Sequence, residues 1–79
     1  MAVVLEKVQV ARNATAKAMV DIAAAERTLL EALTDECDEV SHELRSILGV
    51  MHLIGENLES VWNRLDDNLD ELMEEMKNQ

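Results

Sequence analysis

Apolar residues recur along this chain at alternating steps of three and four, which is the spacing of one face of a helix. In the first half they are Val8, Ala11, Ala18, Ile22, Ala25, Leu29 and Leu33. In the second half they are Cys37, Val40, Leu44, Ile47, Met51, Ile54, Leu58, Val61 and Leu65, and, after a small phase slip, Leu69, Leu72 and Met76. No run of residues shows the two-residue alternation of a strand, so the pattern predicts an all-α protein packed along this apolar seam.

The predicted break between helices lies at Thr34, Asp35 and Glu36, because threonine can cap a helix and the two acids suit the positive end of the next one. The chain has no proline and only two glycines, Gly49 and Gly55, so one continuous rod remains an alternative. We favour a hairpin, since the first half is rich in alanine and the second in larger side chains that small ones can accommodate. The prediction is one helical domain over 1–79, with a neutral helix in 1–34 and an acidic helix in 35–79.

The two predicted helices differ in length. Helix one, roughly 3–33, would be about 46 Å long and helix two, roughly 35–77, about 65 Å. We therefore expect the end of helix two, with Leu69, Leu72, Met73 and Met76, to extend past helix one and leave an apolar face in water. Because 79 residues bury little apolar surface alone, we expect a homodimer, as an antiparallel four-helix bundle or a coiled coil. The sequence does not fix the orientation of that dimer.

Charge separates the two halves. Acids and bases balance through Thr34, whereas thirteen acids face three bases from Asp35 onward, which accounts for the net charge of -10. Six of these acids form two rows at four-residue spacing, namely Asp66, Asp70 and Glu74, and Asp67, Glu71 and Glu75. This balance argues against direct binding to nucleic acid or to a membrane and favours a basic protein partner.

The sequence offers little that suits an enzyme or a metal site. It has no nucleophile with a neighbouring base and no phosphate-binding glycine loop, and the stretch from Asp66 fails as a calcium loop because Glu71 stands where glycine is needed and Lys77 where glutamate is needed. We predict no enzymatic activity, no cofactor and no metal. The single cysteine, Cys37, and the short opening MAVVLEK favour an intracellular, cytoplasmic protein with no membrane span.

A short motif in helix two suggests one specific chemistry. The segment Ser41-His42-Glu43-Leu44-Arg45-Ser46 resembles the phosphoacceptor box of sensor histidine kinases. The resemblance implies that His42 would accept phosphate and that Glu43 would be its acid-base neighbour. Ile47 stands where that family has a proline, and nothing resembles its ATP-binding domain, so the resemblance implies at most a phosphorelay hairpin. The seam predicts that His42 is exposed, on a polar stripe with Asp38, Arg45, Gly49, His52, Glu56 and Glu59.

The function that these features favour is a small acidic protein-interaction module, such as an adaptor, chaperone or inhibitor, that docks through its apolar seam. Its partner would carry a basic or apolar groove. We expect the contact residues to be Trp62, Leu69, Leu72, Met73 and Met76, surrounded by Asp66, Asp67, Asp70, Glu71, Glu74 and Glu75. One alternative is an acidic mimic of nucleic acid that inhibits a nucleic-acid-binding protein, and another is a coiled-coil spacer without a docking partner.

Overall fold

The chain folds as a helical hairpin in a computed structural model, which describes residues 2–33 and 38–78. Helix α1 spans Ala2–Leu33 and helix α2 spans Asp38–Lys77. The two helices pack side by side in a body of 63 × 14 × 13 Å. The predicted all-α hairpin is therefore confirmed and the continuous rod is wrong. The predicted capping segment at Thr34, Asp35 and Glu36 lies outside the described residues.

Contacts between the helices fix an antiparallel register. Arg12 of α1 forms an ion pair with Asp66 of α2 at 2.7 Å. Further along, Gly55 faces Ile22 so closely that a Cβ atom on the glycine would lie 3.7 Å from Cγ2 of the isoleucine. Continued at helical spacing, the same register places the N-terminal turns of α1 beside the last turns of α2.

The residues that face the partner helix follow an uninterrupted heptad pattern of alternating three- and four-residue steps. On α1 these buried or half-buried positions are Leu5, Val8, Arg12, Thr15, Met19, Ile22, Glu26, Leu29 and Leu33. On α2 they are Ser41, Leu44, Leu48, Met51, Gly55, Leu58, Trp62, Leu65, Leu69 and Leu72. The α1 side of this contact is partly polar, since Arg12, Thr15 and Glu26 occupy positions that face α2.

The predicted seam of α2 is right at six positions, including the buried Leu69, and wrong at four. The predicted seam positions Cys37 and Val40 lie outside the described side chains, and Met76 is exposed. Leu44, Met51, Leu58, Leu65 and Leu72 are half-buried as predicted, and no phase slip separates them. The predicted seam residues Ile47, Ile54 and Val61 are instead exposed, and so is Ala11 of α1. Two neighbouring stripes of α2 carry apolar residues, and the hairpin packs through the stripe with Leu48, Gly55 and Trp62.

The expected apolar overhang at the end of α2 is only partly right, because Met73 and Met76 are exposed whereas Leu69 is buried and Leu72 is half-buried. Leu69, which was expected to lie in water, is only 1% exposed and is the most buried large side chain among those described. Continued from Ile22 and Gly55, the register places Leu69 beside Val8 of α1. The additional length of α2 instead lies at its start, since the same register places Leu33 beside Leu44. Core contacts, which helix lengths alone do not reveal, set this register.

Candidate functional site

The predicted docking tip is only partly available at the surface. Leu69 is buried against α1 and Leu72 is half-buried. Met73 and Met76 remain exposed, at 44% and 38% of their full area. Leu69 is therefore not accessible to a partner, and the two methionines are the exposed apolar residues of this tip.

Trp62 belongs to the hairpin contact and borders a groove. Its ring lies 5.9 Å from the guanidinium carbon of Arg12, in the geometry of a cation-π contact. The indole is half-buried and forms part of a shallow, open groove of about 400 Å³. The groove is lined by Ala16, Met19, Val20, Glu59, Trp62 and Asn63. Trp62 thus acts first as a packing residue of the two helices.

The carboxylates of the two acidic rows differ in their exposure to solvent. Asp66 is half-buried and accepts a hydrogen bond from Nη1 of Arg12. The other five members of the rows are exposed, namely Asp67, Asp70, Glu71, Glu74 and Glu75. Because these carboxylates share the last turns of α2, they create a strongly negative end of the hairpin.

A second surface lies along α2, and three of its residues, Ile47, Ile54 and Val61, were predicted to lie in the core. It consists of seven exposed residues at alternating four- and three-residue steps, and we call it the α2 stripe: Glu43, Ile47, Val50, Ile54, Asn57, Val61 and Arg64. The exposed fraction is 42% for Ile47, 56% for Val50, 41% for Ile54 and 45% for Val61. The periodicity that reveals this stripe was visible in the sequence, but it was interpreted as the hairpin contact.

Other exposed apolar residues do not form such a line. Val3, Val10 and Val20 share one exposed face of α1, but the polar residues Glu6, Asn13 and Lys17 lie between them. Leu30 is exposed on another face of α1, and isolated apolar residues are common on protein surfaces. A contiguous apolar patch is more informative, because it marks a surface that another molecule covers. The α2 stripe is therefore the strongest candidate surface of the hairpin.

The polar face with the histidine motif is exposed as predicted. His42, Arg45, His52 and Glu56 all lie in solvent, as do Gly49 and Glu59, while the side chain of Asp38 lies outside the described part. Nε2 of His52 is 3.2 Å from Oε1 of Glu56, one helical turn further on. The phosphorelay that the resemblance implies for His42 stays a prediction.

No group of three or more histidine, cysteine or acidic side chains that could hold a metal ion occurs within 2–33 and 38–78. Within the same residues, neither helix has a stretch long and apolar enough to span a membrane. Comparison of the chain with protein-family models, with curated proteins and with solved structures finds no match.

Proposed function

We propose that the protein is a non-enzymatic protein-interaction module that works as a homodimer of helical hairpins. The observation that carries this proposal is the α2 stripe, whose four apolar side chains are each at least 41% exposed. A line of aliphatic side chains at heptad spacing is the surface that a further helix covers.

The exposed area of the hairpin supports a second copy. The chain exposes 5998 Å², whereas a compact monomer of 8.9 kDa is expected to expose about 4,800 Å². The excess of about 1,200 Å² exceeds the roughly 800 Å² that each partner contributes to an ordinary stable interface. Among the side chains that the structure describes, only Leu69 and Ser41 are buried, so the hairpin alone has little core to stabilise it.

Sedimentation equilibrium tests the homodimer. We expect a mass of about 18 kDa, twice the 8.9 kDa of one chain. Replacing Ile54 with Gln keeps a good helix former but puts an amide on the α2 stripe, so it should weaken self-association at least about tenfold. Val61→Gln should act in the same direction. Val10→Gln, an equivalent change at an exposed position on α1, is the matched control and should leave the mass unchanged.

The foreign partner of this homodimer would bind at the negative end of each hairpin. Met73 and Met76 provide an adaptable apolar contact there, and the exposed carboxylates of the acidic rows attract a basic surface and accelerate encounter. This supports a role as an adaptor, a chaperone or an inhibitor of a partner with a basic or apolar groove. Replacing both methionines with Ser should abolish partner binding and leave the homodimer intact.

A second candidate function is an acidic mimic of nucleic acid, which the five exposed carboxylates in two parallel rows favour. Ionic strength separates it from docking through methionine. Binding of a mimic to a basic nucleic-acid-binding protein should weaken steeply between low and physiological salt. Binding through Met73 and Met76 should change little over that range and should instead fail in the double Ser variant.

A further inference from the structure

The α2 stripe has an acid at one end, a base at the other end, and four aliphatic residues and Asn57 between them. Glu43 begins the stripe and Arg64 ends it, and the four aliphatic members, Ile47, Val50, Ile54 and Val61, lie between these charges. Ile54 is at its centre. Read in reverse, the stripe matches itself at every position except Val50 and Asn57. Such a match is the condition for an interface in which two copies use the same surface.

We infer that a second copy covers the α2 stripe with its own α2 helix, packed antiparallel about a two-fold axis near Ile54. This inference rests on the homodimer proposed above and adds its geometry. The axis places Ile54 beside Ile54 of the second copy and Ile47 beside Val61 of the second copy. Each aliphatic residue at the centre and ends of the apolar segment thereby meets another aliphatic residue.

The charges of the stripe support the antiparallel direction. About the same axis, Glu43 lies next to Arg64 of the second copy, and the symmetric pair forms at the other end. A parallel pairing of the two α2 helices would place Glu43 beside Glu43 and Arg64 beside Arg64, and like charges placed opposite one another are unfavourable. Opposite charges at both ends therefore select the direction of packing.

The acidic rows support the same direction. In the antiparallel arrangement, the negative ends of the two hairpins lie at opposite ends of the dimer. A bundle in which both hairpins point the same way would bring all exposed carboxylates of both copies to one end, with Asp67, Asp70 and Glu71 of each chain close together. Repulsion between unpaired carboxylates disfavours that bundle.

The arrangement also decides which surface stays free. With the axis at Ile54, the second copy of α2 lies opposite residues 38–70 and leaves 71–77 uncovered. Met73 and Met76 belong to this free segment and remain exposed in the hairpin. The dimer would therefore present two identical negative tips, one at each end, to partner proteins.

Distances between spin labels test this arrangement in the full chain. Cys37 is replaced with Ala, and one cysteine at a time is introduced at Ser60, Asp67 or Glu74, which are all exposed and lie one heptad apart. In the antiparallel dimer, the separation of the two labels along the helix axis should rise by about 21 Å from each position to the next, because both copies contribute seven residues of rise. The measured distance should rise at each step by somewhat less than this, because it also includes the constant lateral separation of the two helices. A distance that stays constant from Ser60 to Glu74 would overturn the arrangement.

The same samples separate this inference from the proposed homodimer. A dimeric mass with constant label distances rejects only the antiparallel geometry, whereas a mass of one chain rejects the homodimer and the geometry together. Adding Ile54→Gln to the Ser60→Cys chain should remove the dipolar signal. A signal that persists unchanged in that variant would show that the α2 stripe is not the interface.

Discussion

The side chains of Arg12 and Asp66 join the two helices across a separation of 54 residues in sequence, with Nη1 of the arginine 2.7 Å from Oδ1 of the aspartate. The exposed fractions of the two side chains are 29% and 35%, so water screens the pair only in part. The guanidinium also lies over Trp62. Arg12 thus links an ion pair and an aromatic contact at a core position of α1.

Replacing Asp66 with Asn should reduce the free energy of unfolding by up to about 1 kcal/mol, the upper range for a partly exposed ion pair. Asp67→Asn is the matched control, because it changes the net charge equally at an exposed neighbouring position. It should have no effect or a slight stabilising one, since it removes a like charge from its acidic row. Urea unfolding at one protein concentration measures the free energy of unfolding of both variants. Equal losses of stability in Asp66→Asn and Asp67→Asn would contradict a stabilising role of the ion pair between Arg12 and Asp66.

Leu69 and Leu30 provide a test of the register. Leu69→Ala should lower stability by about 2–4 kcal/mol, because the side chain is 1% exposed and its removal leaves a cavity. Leu30→Ala, at an exposed position of α1, should change stability by about 0.5 kcal/mol or less. Thermal unfolding of both variants at matched concentration compares them. A small effect at Leu69 would mean that the end of α2 is not covered by α1.

The two glycines of α2 should respond differently to larger side chains. Gly49→Ala should stabilise the protein by about 0.5–1 kcal/mol, because alanine is the better helix former and nothing lies within 4 Å of the added carbon. At Gly55 the added carbon of alanine would make ordinary contact with Ile22 and with Glu26. Gly55→Leu should therefore destabilise the hairpin while Gly49→Leu should not, as measured by urea unfolding. Equal tolerance of leucine at both sites would contradict the close helix approach at Gly55.

The hairpin was predictable from sequence because the heptad spacing and the change from small to large side chains both constrain how helices pack. The choice between the two apolar stripes of α2 was not predictable in the same way. Ile47, Ile54 and Val61 form a more hydrophobic line than Leu48, Gly55 and Trp62, so hydrophobicity alone selects the wrong one. The choice depends on how the side chains of both helices fit together in register, which the hydrophobicity of α2 alone does not specify.

The candidate surfaces were predictable to different degrees. The exposed acidic rows follow directly from helical spacing, and all members except Asp66 lie in solvent. The ion pair of Asp66 was missed because Arg12 is a charged residue, and sequence reasoning does not assign a charged residue to a core position. The burial of Leu69 was missed because helix lengths were compared without knowing where the helices align.

The α2 stripe yields a charge-reversal test at Glu43 and Arg64, both exposed in the hairpin. Each of the two symmetric contacts between copies would contribute about 0.2–1 kcal/mol. Reversing either charge alone should therefore weaken dimerisation by roughly twofold to thirtyfold, since both contacts are lost together. The double variant Glu43→Arg with Arg64→Glu restores opposite charges in the antiparallel dimer.

Sedimentation equilibrium of the native chain, the two single variants and the double variant is the most direct measurement of how the copies pair. The self-complementary stripe predicts that both single reversals weaken the dimer and that the double reversal returns it to near its native dissociation constant. The self-complementary stripe would be contradicted if the loss of dimerisation free energy in the double variant equalled the sum of the losses in the two single variants. It would also be contradicted if the single variants dimerised like the native chain.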